Sequence, residues 1–154
     1  MFKIKNILLP TDLSTISLSA ADYAVELASQ YKAKIHLLHV LEKTPPILAI
    51  RSLDLSQDKI LKSFEEEGKK SLLKAETKIK KGKSEDIEIE SILKKGNDYE
   101  EIVKYSKENK IDLIVIATHG RTGLLHTLLG SVAEKVIRYA KCPVLVITPH
   151  KPRK

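Results

Sequence analysis

Five short apolar runs alternate with four segments of helical periodicity, and this alternation constrains the fold more than any other feature of the chain. The first run, Lys3 to Leu9, closes on Pro10-Thr11-Asp12. Ala21, Ala24, Val25 and Ala28 then recur at the i, i+3, i+4, i+7 spacing of a helix, with Ser14 or Ser17 available to cap its start. The second run, Ala33 to Leu41, includes His36 and His39. After a connector containing Pro45-Pro46, a long helix is predicted from about Leu55 to Lys81, with Leu61, Phe64, Gly68, Leu72, Ala75 and Ile79 on one stripe. The stripe is heptad-like, but it is short and holds a glycine, which suits packing on a sheet better than a coiled coil. In the third run, Asp86 to Leu93, Ile87 and Ile89 alternate with Glu88 and Glu90, so one face is wet. Asn97-Asp98 opens the third helix, with Glu100 and Glu101 near capping-box positions and Tyr99, Ile102 and Val103 on its apolar side. The fourth run, Asp112 to Ala117, is almost wholly apolar. A glycine-punctuated loop from Thr118 to Gly130 leads to a helix starting near Ser131 and carrying Val132, Ala133, Val136, Ile137 and Ala140. The fifth run is Pro143 to Thr148, followed by Pro149 and a basic tail.

Strict β-α-β alternation implies an α/β fold of parallel strands with helices on both faces. Residues 1–150 read as one unit with a basic tail at 151–154, without internal repeats, and with the Pro45-Pro46 segment as a candidate flexible loop. The balance of 42% hydrophobic and 31% charged residues is that of a folded chain. Apolar runs such as Leu113 to Ala117 are too short to cross a bilayer. Lys3 and Lys5 interleave with Ile4 and Asn6, unlike a signal peptide, so a soluble cytoplasmic protein is expected. The single cysteine, Cys142, excludes an internal disulfide and reads as a small packed hydrophobe. The net charge of +7 favours anionic partners in general, but its lysines read as a solvated surface. No basic cluster is interleaved with aromatics, which argues against nucleic acid.

In an open doubly wound sheet, ligands sit beyond the carboxyl ends of strands where the order reverses. Two such ends carry unusual polar residues: Pro10-Thr11-Asp12, and Thr118-His119-Gly120-Arg121-Thr122-Gly123. If the two strands are neighbours, both loops face one crevice. Gly120, Gly123 and Gly130 allow close approach or positive φ. Gly130-Ser131 precedes a helix whose first N–H groups lack intrahelical partners and attract phosphate. Arg121 adds a charged fork for phosphate oxygens. Ser131-Val132-Ala133-Glu134 is also a capping box, so the hydroxyl is either a cap or a ligand contact. Asp12 either caps the first helix, binds ribose hydroxyls or holds a divalent cation. His119 lacks partners at a recognisable catalytic spacing, and no P-loop, G-x-G-x-x-G, G-x-S-x-G or H-E-x-x-H motif is present. His36 and His39, three apart in a strand, face opposite sides and do not share a metal.

The chain resembles the universal stress protein family over nearly its full length. The family's ATP-binding members carry a glycine, two residues, a second glycine, nine residues, and then glycine with serine or threonine. Here Ala117-Thr118-His119-Gly120 is followed by nine residues, Arg121 to Leu129, and then Gly130-Ser131. Ile7-Leu8-Leu9-Pro10-Thr11-Asp12 and Cys142-Pro143-Val144-Leu145-Val146 also resemble the family's strand ends. The resemblance implies a Rossmann-like, adenine nucleotide alpha hydrolase-like fold, a five-stranded parallel open sheet of order 3-2-1-4-5. It implies ATP or another adenine nucleotide, with Mg²⁺ held by Asp12 or by the phosphates. Asp12 matches the ribose-side aspartate, and Val40 would meet adenine through its backbone. Gly120, Arg121, Gly130, Ser131 and Val132 would line the phosphates, within a wider set of Pro10, Thr11, Ala117, Thr118, His119, Thr122, Gly123 and Ala133. It also implies a homodimer paired through the fifth strand (Val144, Leu145, Val146, Ile147), which otherwise leaves a bare apolar edge. Ala117 departs from the motif: its methyl would interfere if φ were positive there, or if a sugar packed on its α-carbon.

Three functions follow from this reading. The first is an ATP-binding dimeric regulator of the stress response with weak or no hydrolysis. The second is a slow ATPase or nucleotidyl transferase using Asp12 and Arg121. The third is a dimeric interaction module that binds no nucleotide.

Overall fold

A computed structural model describes residues 1–42, 57–81, 86–119 and 129–149. The Pro45-Pro46 connector, His126, His150 and the basic tail lie outside the described residues. In chain order the elements are β1 (Asn6–Pro10), a 3-10 turn (Ser17–Ala20), α1 (Ala21–Tyr31), β2 (Lys34–Leu41), α2 (Gln57–Lys80), β3 (Ile89–Lys95), α3 (Asp98–Glu108), β4 (Leu113–Ala117), α4 (Ser131–Tyr139) and β5 (Val144–Ile147). The strands pair in parallel in the order β3-β2-β1-β4-β5, as expected.

The sheet separates two apolar layers. Ile7, Leu9, Ile35, Leu37, Val115 and Ala117 point to one face, under α1 and α2. Leu8, Leu38, Ile114 and Ile116 point to the other, under Ile102 and Tyr105 of α3 and Ala133 and Val136 of α4. Strands covered on both faces need continuous apolar sequence, and β1 and β4 have it. Ile7, Leu8, Leu9, Ile114 and Val115 are fully buried. Ala21, Ala24 and Ala28 bring α1 close to the sheet. Cys142 packs on the α3–α4 layer, where burial pushes its thiol pKa up.

The element ends depart from the expected ones for identifiable reasons. β1 starts at Asn6 rather than Lys3, because the N–H groups of Lys5 and Asn6 donate to the Asp112 carboxylate at 2.8 and 2.9 Å. β3 runs on to Lys95 instead of ending at Leu93, since Lys94 and Lys95 stay in register with Val40 and Leu41 of β2. Polar residues are tolerated on this edge, where Lys34 bridges Glu88 at 3.0 Å and Glu90 at 2.6 Å. On α2 the inward stripe is Ile60, Gly68, Leu72, Ala75 and Ile79. Phe64, expected on the stripe, is 41% exposed, and Leu61 is only half-buried. The helix closes on the sheet at Gly68, where an added Cβ would meet Leu41 at 3.3 Å and Leu93 at 3.5 Å. Among the described residues no helix is long and apolar enough to cross a membrane.

Candidate functional site

β1 and β4 are neighbours, so the turns following them share the carboxyl edge of the sheet at its switch point. The turn after β1 is closed by its own side chains. Thr11 is buried; its hydroxyl hydrogen-bonds Ser17 Oγ at 2.8 Å and accepts the Leu13 N–H at 2.9 Å. Its N–H donates to the Leu38 carbonyl, and its own carbonyl accepts from His39 Nδ1 at 2.9 Å. Thr11 is therefore framework rather than a free polar group. Asp12 Oδ1 accepts the Ser14 N–H at 2.9 Å, an Asx turn that holds its carboxylate at the rim. Leu13 takes a φ of 69° within this turn. The Ser14 hydroxyl accepts the Ser17 N–H at 3.1 Å within this turn, but neither Ser14, Ser17 nor Asp12 caps α1: its N-cap is Ala20, without a side-chain bond, because the 3-10 turn leads straight into the helix. Pro10 is buried at the end of β1, and Val40 is half-buried near the end of β2.

The turn after β4 is built around one close contact. Thr118 N–H donates to the Ile147 carbonyl, and the Thr118 carbonyl accepts Gly130 N–H at 2.7 Å. A Cβ on Gly130 would lie 2.5 Å from that carbonyl oxygen. Gly130 has φ −69° and ψ 155°, so close approach and not unusual φ requires glycine here. Gly130 is the N-cap of α4, and the first helical bond runs from Glu134 N–H to its carbonyl. Ser131 is consequently the first helical residue, exposed and without a capping bond; the capping-box reading of Ser131 and Glu134 is corrected by one position. The N–H groups of Ser131, Val132 and Ala133 lack acceptors among the described residues, as helix geometry dictates.

Ala117 is buried, extended in β4 and paired with Ile147, its methyl in the α1–α2 layer. Its φ is not positive; the described non-glycine residues with positive φ are Leu13, Lys32 and Lys110. The first obstacle raised by alanine in the glycine position is thereby removed. His119 Nδ1 lies 2.9 Å from Thr118 Oγ1. Gly120, Arg121, Thr122 and Gly123 lie outside the described residues.

The structure adds a cleft that the sequence did not suggest. About 400 Å³ of space separates the first turns of α3 and α4. Glu42, Asn97, Asp98 and Tyr99 line one wall; Ser131, Val132 and Lys135 line the other. α3 also starts without a side-chain cap: Asn97 is extended and makes no capping bond. Gly96 turns the chain there with φ 156° and donates its N–H to the Leu41 carbonyl. Burial pushes the Asp98 carboxyl pKa up, Glu42 and Asp12 add to this, and His39 opposes it. Asp12 and the cleft thus share one electrostatic environment. Sequence separation hid it, since Gly96–Tyr99 and Ser131–Lys135 meet only because α3 and α4 cover the same face. The available signal was the paired occurrence of a glycine and a polar helix start after strands 3 and 4. Among the described residues no group of three or more His, Cys, Asp or Glu can hold a metal ion.

The chain is a doubly wound α/β protein with two uncapped helix starts at the carboxyl edge of its sheet, the edge at which ligands of such folds bind. The universal stress protein family model matches residues 3–148, and the chain belongs to that family. It is 38% identical over 151 residues to the universal stress protein MJ0531 of Methanocaldococcus jannaschii, covering 97% of this chain and 84% of that one. The solved structure of MJ0577, from the same organism, superposes with a TM-score of 0.77 at 32% identity, covering 96% of this chain and 97% of that one. A universal stress protein solved in complex with cAMP has a TM-score of 0.68 at 25% identity, covering 96% and 99%.

Proposed function

We propose that this chain binds ATP or a close adenine nucleotide and acts as a homodimeric, cytoplasmic regulator of the stress response with weak or no hydrolysis. The observation that carries the reading is the start of α4. Gly130 holds it against the end of β4, while the N–H groups of Ser131, Val132 and Ala133 stay open. Open helix N–H groups and the helix dipole favour phosphate. The Ala133 side chain is buried in the α3–α4 layer, so that residue offers a ligand only its backbone, while half-buried Val132 also lines the cleft. A relative solved with cAMP supports an adenine nucleotide as the occupant. On this reading Asp12 faces the ribose, and Thr11 and Ser14 hold its turn in place. Val40 meets the base through its backbone, and the Ala117-to-Gly123 segment completes the phosphate side. Any Mg²⁺ would arrive with the phosphates, with Asp12 as a candidate ligand.

The dimer is proposed through β5, where Val144 and Val146 are half-buried and Leu145 is 37% exposed. An apolar edge strand of this kind is protected by pairing with a second copy.

Calorimetric titration of ATP with Mg²⁺ into nucleotide-stripped protein tests the binding. The control variant is Ser131→Pro, because proline suits the first helical position and deletes one N–H without displacing the helix. Gly130 already has the extended backbone that a following proline requires. Saturable binding weakened about tenfold in the variant, at unchanged melting temperature, supports the reading. Absence of binding by any adenine nucleotide, with an intact dimer in sedimentation, overturns it in favour of an interaction module.

A further inference from the structure

The two walls of the cleft have opposite character. Glu42 and the half-buried Asp98 make the α3 side acidic, while the α4 side carries open N–H groups and Lys135. Ser131 and Lys135 are four residues apart and share one face of α4. Helical side chains lean toward the N-terminus, so the Lys135 stem points back over the turn with the open N–H groups. The Lys135 ammonium lies 4.9 Å from the centroid of the Tyr99 ring, which also lines the cleft. That ring is fixed in turn: it stacks on Tyr139 with centroids 5.7 Å apart, and its hydroxyl donates to Glu100 at 3.2 Å. Arg138, on the same helix, is paired with Glu134 at 2.7 Å. Lys135 has no carboxylate within ion-pair distance among the described residues.

Resting on the nucleotide reading above, we infer that Lys135 is the residue by which this site distinguishes nucleotides by phosphate number. The first-turn N–H groups receive one phosphate group; the ammonium, one turn further along the same face, meets the phosphates beyond it. The Tyr99 ring holds the ammonium by cation–π attraction without neutralising it, so its full charge remains available to an anion. The acidic wall opposes phosphate on the α3 side and leaves Lys135 as the cleft's own counter-charge. A monophosphate engages the backbone donors alone, and a triphosphate engages both.

The test is calorimetric titration of AMP and of ATP into nucleotide-stripped wild-type, Lys135→Gln and Lys135→Arg proteins. Lys135 is exposed and loses only its contact with the Tyr99 ring in Lys135→Gln, so the variants should melt within a few degrees of wild type without nucleotide. The expected result is about tenfold weaker ATP binding by Lys135→Gln, a far smaller change for AMP, and recovery by Lys135→Arg. An equal loss for both nucleotides, or no loss for either, overturns the inference while leaving the nucleotide reading intact. A wild-type protein that binds neither nucleotide overturns both. Ser131→Pro separates the two roles, since it should weaken AMP and ATP alike.

Discussion

The two ends of the sheet treat their polar groups differently. At the amino end they are closed inward. The Asp112 carboxylate takes two backbone N–H groups, and buried His36 is held between the Tyr105 hydroxyl at 2.8 Å and Asn6 Oδ1 at 3.2 Å. At the carboxyl end, α3 and α4 both begin without a side-chain cap, and a cleft lies between them. Side chains near the core are satisfied internally at both ends, Thr11 by Ser17 and Leu13 at the carboxyl end, but only the carboxyl end leaves helix-start N–H groups open. Substitutions at the amino end should therefore change stability and leave nucleotide affinity alone. Those at the carboxyl end should do the reverse.

Gly130 is where this division should break, and with the largest effect. It belongs to the open end, but its α-carbon packs on the Thr118 carbonyl with no room for a methyl group. Gly130→Ala should lower stability by about 2–3 kcal/mol through forced backbone displacement and weaken nucleotide binding as well. Chemical denaturation and calorimetry on the same preparation check this. A variant as stable as wild type would mean that the helix start is free to move.

At the amino end, Tyr105→Phe should cost about 1–3 kcal/mol, because it leaves a buried His36 nitrogen without its hydrogen-bond partner. Nucleotide affinity measured beside it should stay within twofold. An equal loss of affinity would tie the two ends together through α3, which carries Tyr105 at one end and Asp98 at the other.

How far the sequence reveals these two ends depends on whether the signal is local. β1 and β4 were legible because strands buried on both faces are continuously apolar. The switch point was legible because two polar turns followed them. The α2 stripe was legible through Gly68, Leu72, Ala75 and Ile79 and misjudged at Phe64, which is exposed although Ile60 and Gly68 on either side of it are buried. The Ser131 cap was misplaced by one residue because the motif does not show that Gly130 is pressed against Thr118. The amino-end network was missed altogether: His36, Asn6 and Tyr105 come from three elements, and nothing in their spacing announces the contact.

The His36 network also gives a pH signature. Burial lowers the His36 pKa from its ordinary 6.5, Lys34 adds to this, and Glu90 and Glu88 oppose it. The Asn6 side-chain oxygen can only accept, so Nε2 carries the proton and Nδ1 accepts from the Tyr105 hydroxyl. The unfolded chain then binds more protons than the folded one as pH falls through 6.5, and stability declines on the acid side. The stability is fully present above about 6.5 and is lost progressively until the lowered folded-state pKa is reached. Melting temperatures between pH 7.5 and 5.5 should fall for wild type and fall less for His36→Gln. Identical slopes would remove His36 from the account.

The smallest expected effect tests the comparison most sharply. If Ser131 capped α4, Ser131→Ala would cost about 1 kcal/mol, the usual price of a lost cap. With Gly130 as the cap and the Ser131 hydroxyl free of a capping bond, the change should stay within about 0.5 kcal/mol by denaturant titration. Such a null result has content, because the open end is defined by polar groups that do not contribute to folding. Affinity for ATP should fall only modestly, since the backbone N–H groups remain. If Ser131→Ala destabilised the protein like a lost cap, the start of α4 would be closed like the amino end, and the distinction between the two ends would fail.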